Sequence, residues 1–144
     1  LNERGGTAII RGLKNNTTLR VLKLDSNNLG KNFGVAIQHD LANNTELHEL
    51  VLRFNGLGDS SAVAIAKALY VNTSLKSLYI NEHFSETSGA ALVDALIHNS
   101  TLTKLDLVGN EAISPATQAK IKFAMSSELK GLLNDPSVSP SRIP

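Results

Sequence analysis

Leucines at 19, 22 and 24, followed by Asn27 and Leu29, stand in the order L-x-x-L-x-L-x-x-N-x-L. The order returns at Leu47, Leu50, Leu52, Asn55 and Leu57, at Leu75, Leu78 and Ile80, and at Leu102, Leu105, Leu107 and Asn110. The first leucines of successive copies lie 28, 28 and 27 residues apart. Between the copies, Gly6 to Leu13, Gly34 to Leu41, Ser61 to Leu69 and Gly89 to Leu96 carry small and apolar residues at helical spacing. Each stretch ends in a similar turn: Asn-Asn-Thr-Thr before Leu19, Asn-Asn-Thr-Glu before Leu47, Val-Asn-Thr-Ser before Leu75, and His-Asn-Ser-Thr before Leu102. The two halves of a unit have different periods. The L-x-L alternation has period two and puts Leu22 and Leu24 on one face of a short strand. The other half has the period of an amphipathic helix, with Ala36, Ile37 and Leu41 on one face and Ala62, Ile65, Ala66 and Leu69 on its equivalent.

A unit of one strand and one helix buries its apolar face by stacking on its neighbours. Parallel strands sit about 4.8 Å apart, and packed helices about 8–10 Å. The pattern therefore predicts an α/β fold: a right-handed solenoid bent into a horseshoe arc, with parallel strands on the concave face and helices on the convex face. Asn27, Asn55 and Asn110 fall where the chain leaves each strand, so a buried amide there is expected to bond its own loop and the neighbouring unit. Gly34, Gly89 and the alanines are expected to let each helix sit close to the strand layer.

The repeat domain is expected over residues 1–133, with units starting near 19, 47, 75 and 102. Leu1 aligns with Leu29 and Gly6 with Gly34, so the sequence opens in mid-unit without an initiator Met. Two readings follow: a fragment of a longer array, which is favoured and would leave the strand at Arg20 to Leu24 as an exposed edge open to self-association, or a natural start on a helix that caps the stack. Ser114 and Pro115 mark the start of a fourth helix. Leu129 lies 27 residues after Leu102, and Leu129-Lys-Gly-Leu132 is expected to be a decayed cap strand. Residues 134–144 read as a Pro/Ser-rich tail. The third unit is one residue short, puts His83 at the asparagine slot and Ser85 at the leucine slot, and is expected to turn Phe84 inward in compensation.

These motifs resemble the ribonuclease-inhibitor-like class of leucine-rich repeats, which includes the repeat arrays of NOD-like receptors, the Ran GTPase-activating protein and the C-terminal domain of tropomodulin. The resemblance covers about residues 1 to 133. It implies a scaffold that binds another protein. It also offers a GTPase-activating role of the Ran activator type, or a structural segment of a cytoskeletal or receptor assembly. The Ran activator carries a strongly acidic C-terminal segment, whereas the tail here holds a single acid, Asp135.

Composition narrows the picture. Hydrophobic residues make up 42% and aromatics 4%, which suits stacked aliphatic layers. A net charge of +1 gives no basic patch for nucleic acid and no drive toward an anionic membrane. No apolar run reaches the roughly 18 residues of a membrane span. The sequence holds no cysteine, which excludes disulfides and thiol chemistry and points to an intracellular, cytoplasmic setting. The Asn-x-Ser/Thr sites at Asn15, Asn16, Asn43, Asn72 and Asn99 fall at one place in every unit and read as a copied loop solution. His39, His48, His83 and His98 lack metal-ligand spacing. No catalytic motif is present; no enzyme activity, metal or cofactor is expected.

The outward strand positions define the candidate site. They stack into columns: Val21, Glu49, Ser77 and Lys104; Lys23, Val51, Tyr79 and Asp106; Asp25, Arg53, Asn81 and Val108. Phe54 and Glu82 lie just beyond. Val51, Phe54, Tyr79 and Val108 are expected to cluster, and Arg53 to pair with Asp25. The partner-binding set is therefore Lys23, Asp25, Glu49, Val51, Arg53, Phe54, Tyr79, Asn81, Glu82, Asp106 and Val108. Tyr79, Phe54 and Arg53 are the expected anchors, since Tyr and Arg are enriched among binding hot spots.

Overall fold

A computed structural model describes residues 1–139 and Ser141. Helix α1 (Glu3–Gly12) and a single turn (Leu13–Asn15) precede strand β1 (Val21–Lys23). Then follow α2 (Phe33–Asn43), β2 (Glu49–Val51), α3 (Gly58–Val71), β3 (Ser77–Tyr79), α4 (Glu86–His98), β4 (Lys104–Asp106), α5 (Pro115–Ala124) and α6 (Ser127–Asn134). The strands form one parallel sheet in chain order. Its register follows the repeat: Leu22 opposite Leu50, Leu50 opposite Leu78, and Leu78 opposite Leu105. Strand and helix thus alternate along a solenoid, as the two periods require.

Leu50, Leu52, Leu78 and Ile80 are fully buried, with Ile37, Leu41, Ile65 and Leu69 from the helices. Their counterparts at the ends, Leu22, Leu105 and Leu107, are partly exposed because no unit covers their outer side. The glycines act differently from expectation. A Cβ on Gly34 would collide with the backbone of Ser61, and one on Gly89 would lie 2.8 Å from Thr117 Cγ2 and 2.9 Å from Ile113 Cγ2. They permit close approach of helix to helix, α2 to α3 and α4 to α5, where the small residue faces the next helix in the row.

Two hydrogen-bond ladders fasten the loops. At the helix-to-strand turns, Asn16, Asn44, Asn72 and Asn99 each accept two backbone N–H groups on their Oδ1, as Asn72 does from Ser74 (3.0 Å) and Leu75 (2.8 Å). Their amides donate to the preceding unit: Asn44 to Leu13 O (2.9 Å), Asn72 to Leu41 O (2.7 Å), and Asn99 to Leu69 O (2.7 Å). The repeated turn is therefore a structural rung, and at Asn72 and Asn99 the sequon side chain is buried in it.

The end of the array departs from expectation. Leu129 does not start a strand. Ser126 Oγ accepts from Leu129 N (3.3 Å) as an N-cap, Glu128 sits in the first turn, and the segment becomes α6. Leu129 is buried. Lys130 Nζ donates to Leu96 O (2.7 Å) and to Asn99 O. Those are the carbonyls that an asparagine of a further unit would serve. Burial pushes the Lys130 ammonium below its ordinary pKa. Ser114 caps α5 as expected, accepting from Thr117 N (3.2 Å), with Pro115 in the first turn. In the tail, Asp135 accepts from Ser137 N (2.8 Å) and Oγ (2.6 Å). Pro140 and residues 142–144 of the expected tail lie outside the described residues.

Candidate functional site: the strand face

The strand-to-helix loops carry the second ladder, and the candidate site lies along its rim. Asn55 Nδ2 donates to Leu24 O (2.8 Å) and Leu52 O (2.9 Å), while its Oδ1 accepts from Asn27 N (3.0 Å). Asn27 and Asn110 hold the same place in their units. Asn27 Nδ2 donates to Leu24 O (3.0 Å), and Asn110 Nδ2 to Ile80 O (3.1 Å) and Leu107 O (2.8 Å). In three of the four loops the residue before the asparagine is left-handed: Ser26 (φ 53°), Phe54 (φ 58°) and Gly109 (φ 88°).

The third loop corrects two sequence readings. Glu82, not His83, occupies the asparagine slot, and Glu82 does not belong to the binding face. It is buried, and its carboxylate accepts from the backbone N–H of Asn55, Gly56 (2.9 Å) and Leu57 (3.4 Å). Phe84 turns inward to full burial at the leucine slot. The residue this unit lacks is the left-handed one. His83 is exposed.

The remaining face residues form a connected surface. Arg53 does not pair with Asp25. Its guanidinium passes over β3 to reach Asp106, lying 4.8 Å from the centre of the Tyr79 ring. Lys104 Nζ lies 5.0 Å from the same ring. The Tyr79 hydroxyl raises the Lys104 pKa. Asp106 is held below its ordinary pKa by the Val108 N–H (3.0 Å) and by Arg53. Lys23 pairs with Glu49 at 3.7 Å. Val51 points outward but is only 6% exposed, so it underlies the charged side chains and offers a partner little surface. Asn81 is half-buried, and its Oδ1 has no partner among the described residues.

Lys23, Asp25, Ser26, Glu49, Val51, Arg53, Phe54 and Tyr79 line an open depression of about 430 Å³. The expected apolar cluster divides here. Phe54 and Tyr79 belong to this depression, whereas Val108 lines another, of about 560 Å³, between the outer side of β4 and α5. Phe54 is 65% exposed and yet keeps a backbone conformation that costs an L-residue about 1 kcal/mol.

The histidines do not converge. His39 Nδ1 meets Asp40 (3.0 Å), whose carboxylate is buried, and His98 stacks on Tyr70 with ring centres 4.5 Å apart. Among the described residues no group of His, Asp or Glu could hold a metal ion, and no helix is long and apolar enough to cross a membrane.

Comparison with known proteins agrees with this architecture. A family model described as leucine rich repeat matches residues 15–32, 43–66 and 98–116. Among solved structures, leiomodin-1 actin-binding site 2 is similar, with a TM-score of 0.80 at 20% identity over 91% of this chain and 76% of that one. The tropomodulin C-terminal domain of Caenorhabditis elegans has a TM-score of 0.53 at 12% identity over 89% of this chain and 95% of that one. No curated protein sequence matches. Repeat spacing, parallel sheet and matched segments agree: the chain folds as a leucine-rich-repeat solenoid whose units alternate strand and helix, similar to the ribonuclease-inhibitor-like class.

Proposed function

We propose that this domain is a non-enzymatic scaffold that docks a protein partner on its concave strand face, with Phe54, Tyr79 and Arg53 as anchors. Phe54 carries the reading. A large apolar side chain stands in solvent at the rim of a depression, on a backbone conformation that glycine adopts at no cost. Strain of this kind persists where function requires the side chain. Tyr79 and Arg53 add a preorganised platform, because the Asp106 ion pair fixes the guanidinium against the ring.

Actin is the first partner to test, since the similar leiomodin-1 structure is an actin-binding site. The assay is co-sedimentation with actin filaments, paired with pull-down of monomeric actin. The wild-type domain is expected to bind, and Tyr79→Ala and Phe54→Gly each to weaken binding by at least tenfold, the effect of losing an interface hot spot. Unchanged affinity in both variants would remove these residues from the interface. No binding by the wild type would remove actin.

A further inference from the structure

Six charged side chains stand in the outward columns of the sheet, and five of them are occupied. Lys23 pairs with Glu49, and Arg53 with Asp106. Lys104 rests against the Tyr79 ring. Asp25 is the exception: its carboxylate has no cation and no hydrogen-bond donor among the described residues. It shares the 430 Å³ depression with Phe54, and it follows Lys23, whose charge is already directed to Glu49.

From this we infer that the depression is a subsite for one arginine side chain of the partner, with Asp25 as counter-ion and the Phe54 ring as the surface on which the guanidinium lies. The inference rests on the strand face being the docking surface, and it names the chemistry of the partner's anchor. Charge complementarity favours a cation. Lys23 and Arg53 are each directed to another carboxylate, Glu49 and Asp106, and Lys104 lies outside the depression on the Tyr79 ring, so Asp25 is the one carboxylate of the depression left without a cation among the described residues. Arginine suits it better than lysine, because a planar guanidinium can fork onto a carboxylate while stacking on an aromatic face. A cation over a ring contributes about 0.5–1 kcal/mol at an exposed site. The left-handed backbone of Phe54 matters here because it sets the ring at the rim, where such stacking is open.

The test needs no knowledge of the partner. The isotope-labelled domain is titrated with N-acetyl-arginine amide, and in parallel with N-acetyl-citrulline amide, which has nearly the same shape without the charge. Arginine is expected to give saturable backbone amide shifts confined to Asp25, Ser26, Phe54 and their neighbours, and citrulline to give shifts at least fivefold smaller. Asp25→Asn, which disturbs no side-chain bond of the fold, should abolish the arginine response with an unchanged melting temperature. Equal responses to the two probes, shifts scattered over the surface, or a full response in Asp25→Asn would each overturn the subsite. If actin binding fails while the arginine response holds, the partner is wrong and the subsite stands. If actin binds while the arginine response is absent, the subsite is wrong and the scaffold stands.

Discussion

The two ladders solve one problem at opposite ends of the strands. Backbone groups that leave a helix or a sheet must be bonded, and one side chain per unit reaches back to do it. At the helix-to-strand turns the rungs are asparagine from Asn16 to Asn99, and the replacement, Lys130, comes at the very end. At the strand-to-helix loops the replacement, Glu82, sits in the middle, beside the candidate site. The replacements differ in kind. An amide donates and accepts, a carboxylate only accepts, and an ammonium only donates. Glu82 therefore serves N–H groups and leaves the carbonyls of Leu52 and Ile80 to Asn55 and Asn110. Lys130 serves carbonyls and nothing else. Lys130 needs only half of the asparagine's function, because it stands inside α6 and has no turn of its own whose N–H groups need an acceptor.

The comparison is broken most severely at Asn72. Asn72→Ala leaves two buried carbonyls and two backbone N–H groups without their partner, and is expected to cost about 4 kcal/mol in urea unfolding followed by circular dichroism. Glu82→Ala strips three backbone N–H groups of their acceptor and should cost about 3 kcal/mol. The half-buried Asn27, at the end of its ladder, should cost less. A Glu82→Ala effect no larger than that of Asn27→Ala would show that the carboxylate is not a rung. Lys130→Met should cost about 1–2 kcal/mol and raise hydrogen exchange first in α6, since its bonds tie that helix to the array. Phe54→Gly has the opposite sign. It is expected to stabilise the fold by up to about 1 kcal/mol by relieving the left-handed residue, while weakening partner binding.

The smallest effect concerns acid. Asp59 lies below its ordinary pKa through the Ser88 hydroxyl and the Ser85 N–H, and Glu86 through the Thr117 hydroxyl and the Ser114 N–H. A carboxylate with a depressed folded pKa contributes stability that is present above its unfolded value and lost as pH falls through the folded one. With ordinary values of 3.8 and 4.5, the urea midpoint should hold above about pH 5 and decline below pH 4. Asp59→Asn with Glu86→Gln should flatten that decline, and an undiminished slope would mean that these bonds between adjacent helices carry no net stability.

Much of the architecture was legible because Leu19, Leu47, Leu75 and Leu102 keep their interval, and periods of two and 3.6 cannot be confused over complete units. Asn27, Asn55 and Asn110 were readable as loop rungs for the same reason. Glu82 was not. Removing one residue shifts the slot, and a letter count then lands on His83 while the backbone aligns Phe84 with Leu57. The strand expected at Leu129 failed on a local signal: Ser126 with Glu128 two residues on marks a helix start, and periodicity alone hid it. The Arg53 partner was out of reach for a different reason. Its guanidinium crosses a whole strand, and column adjacency records where a side chain begins, not where its far end settles.

Lys130 carries a consequence for building with these units. The bonds that close the turn ladder ask for two backbone oxygens, those of Leu96 and Asn99, which each earlier unit also presents to its successor. Such a closure reads no side chain and keeps no count. The ladder contact of this terminator is therefore modular: a designer who inserts or deletes a whole 28-residue unit ahead of it changes the reach of the arc without redrawing that contact.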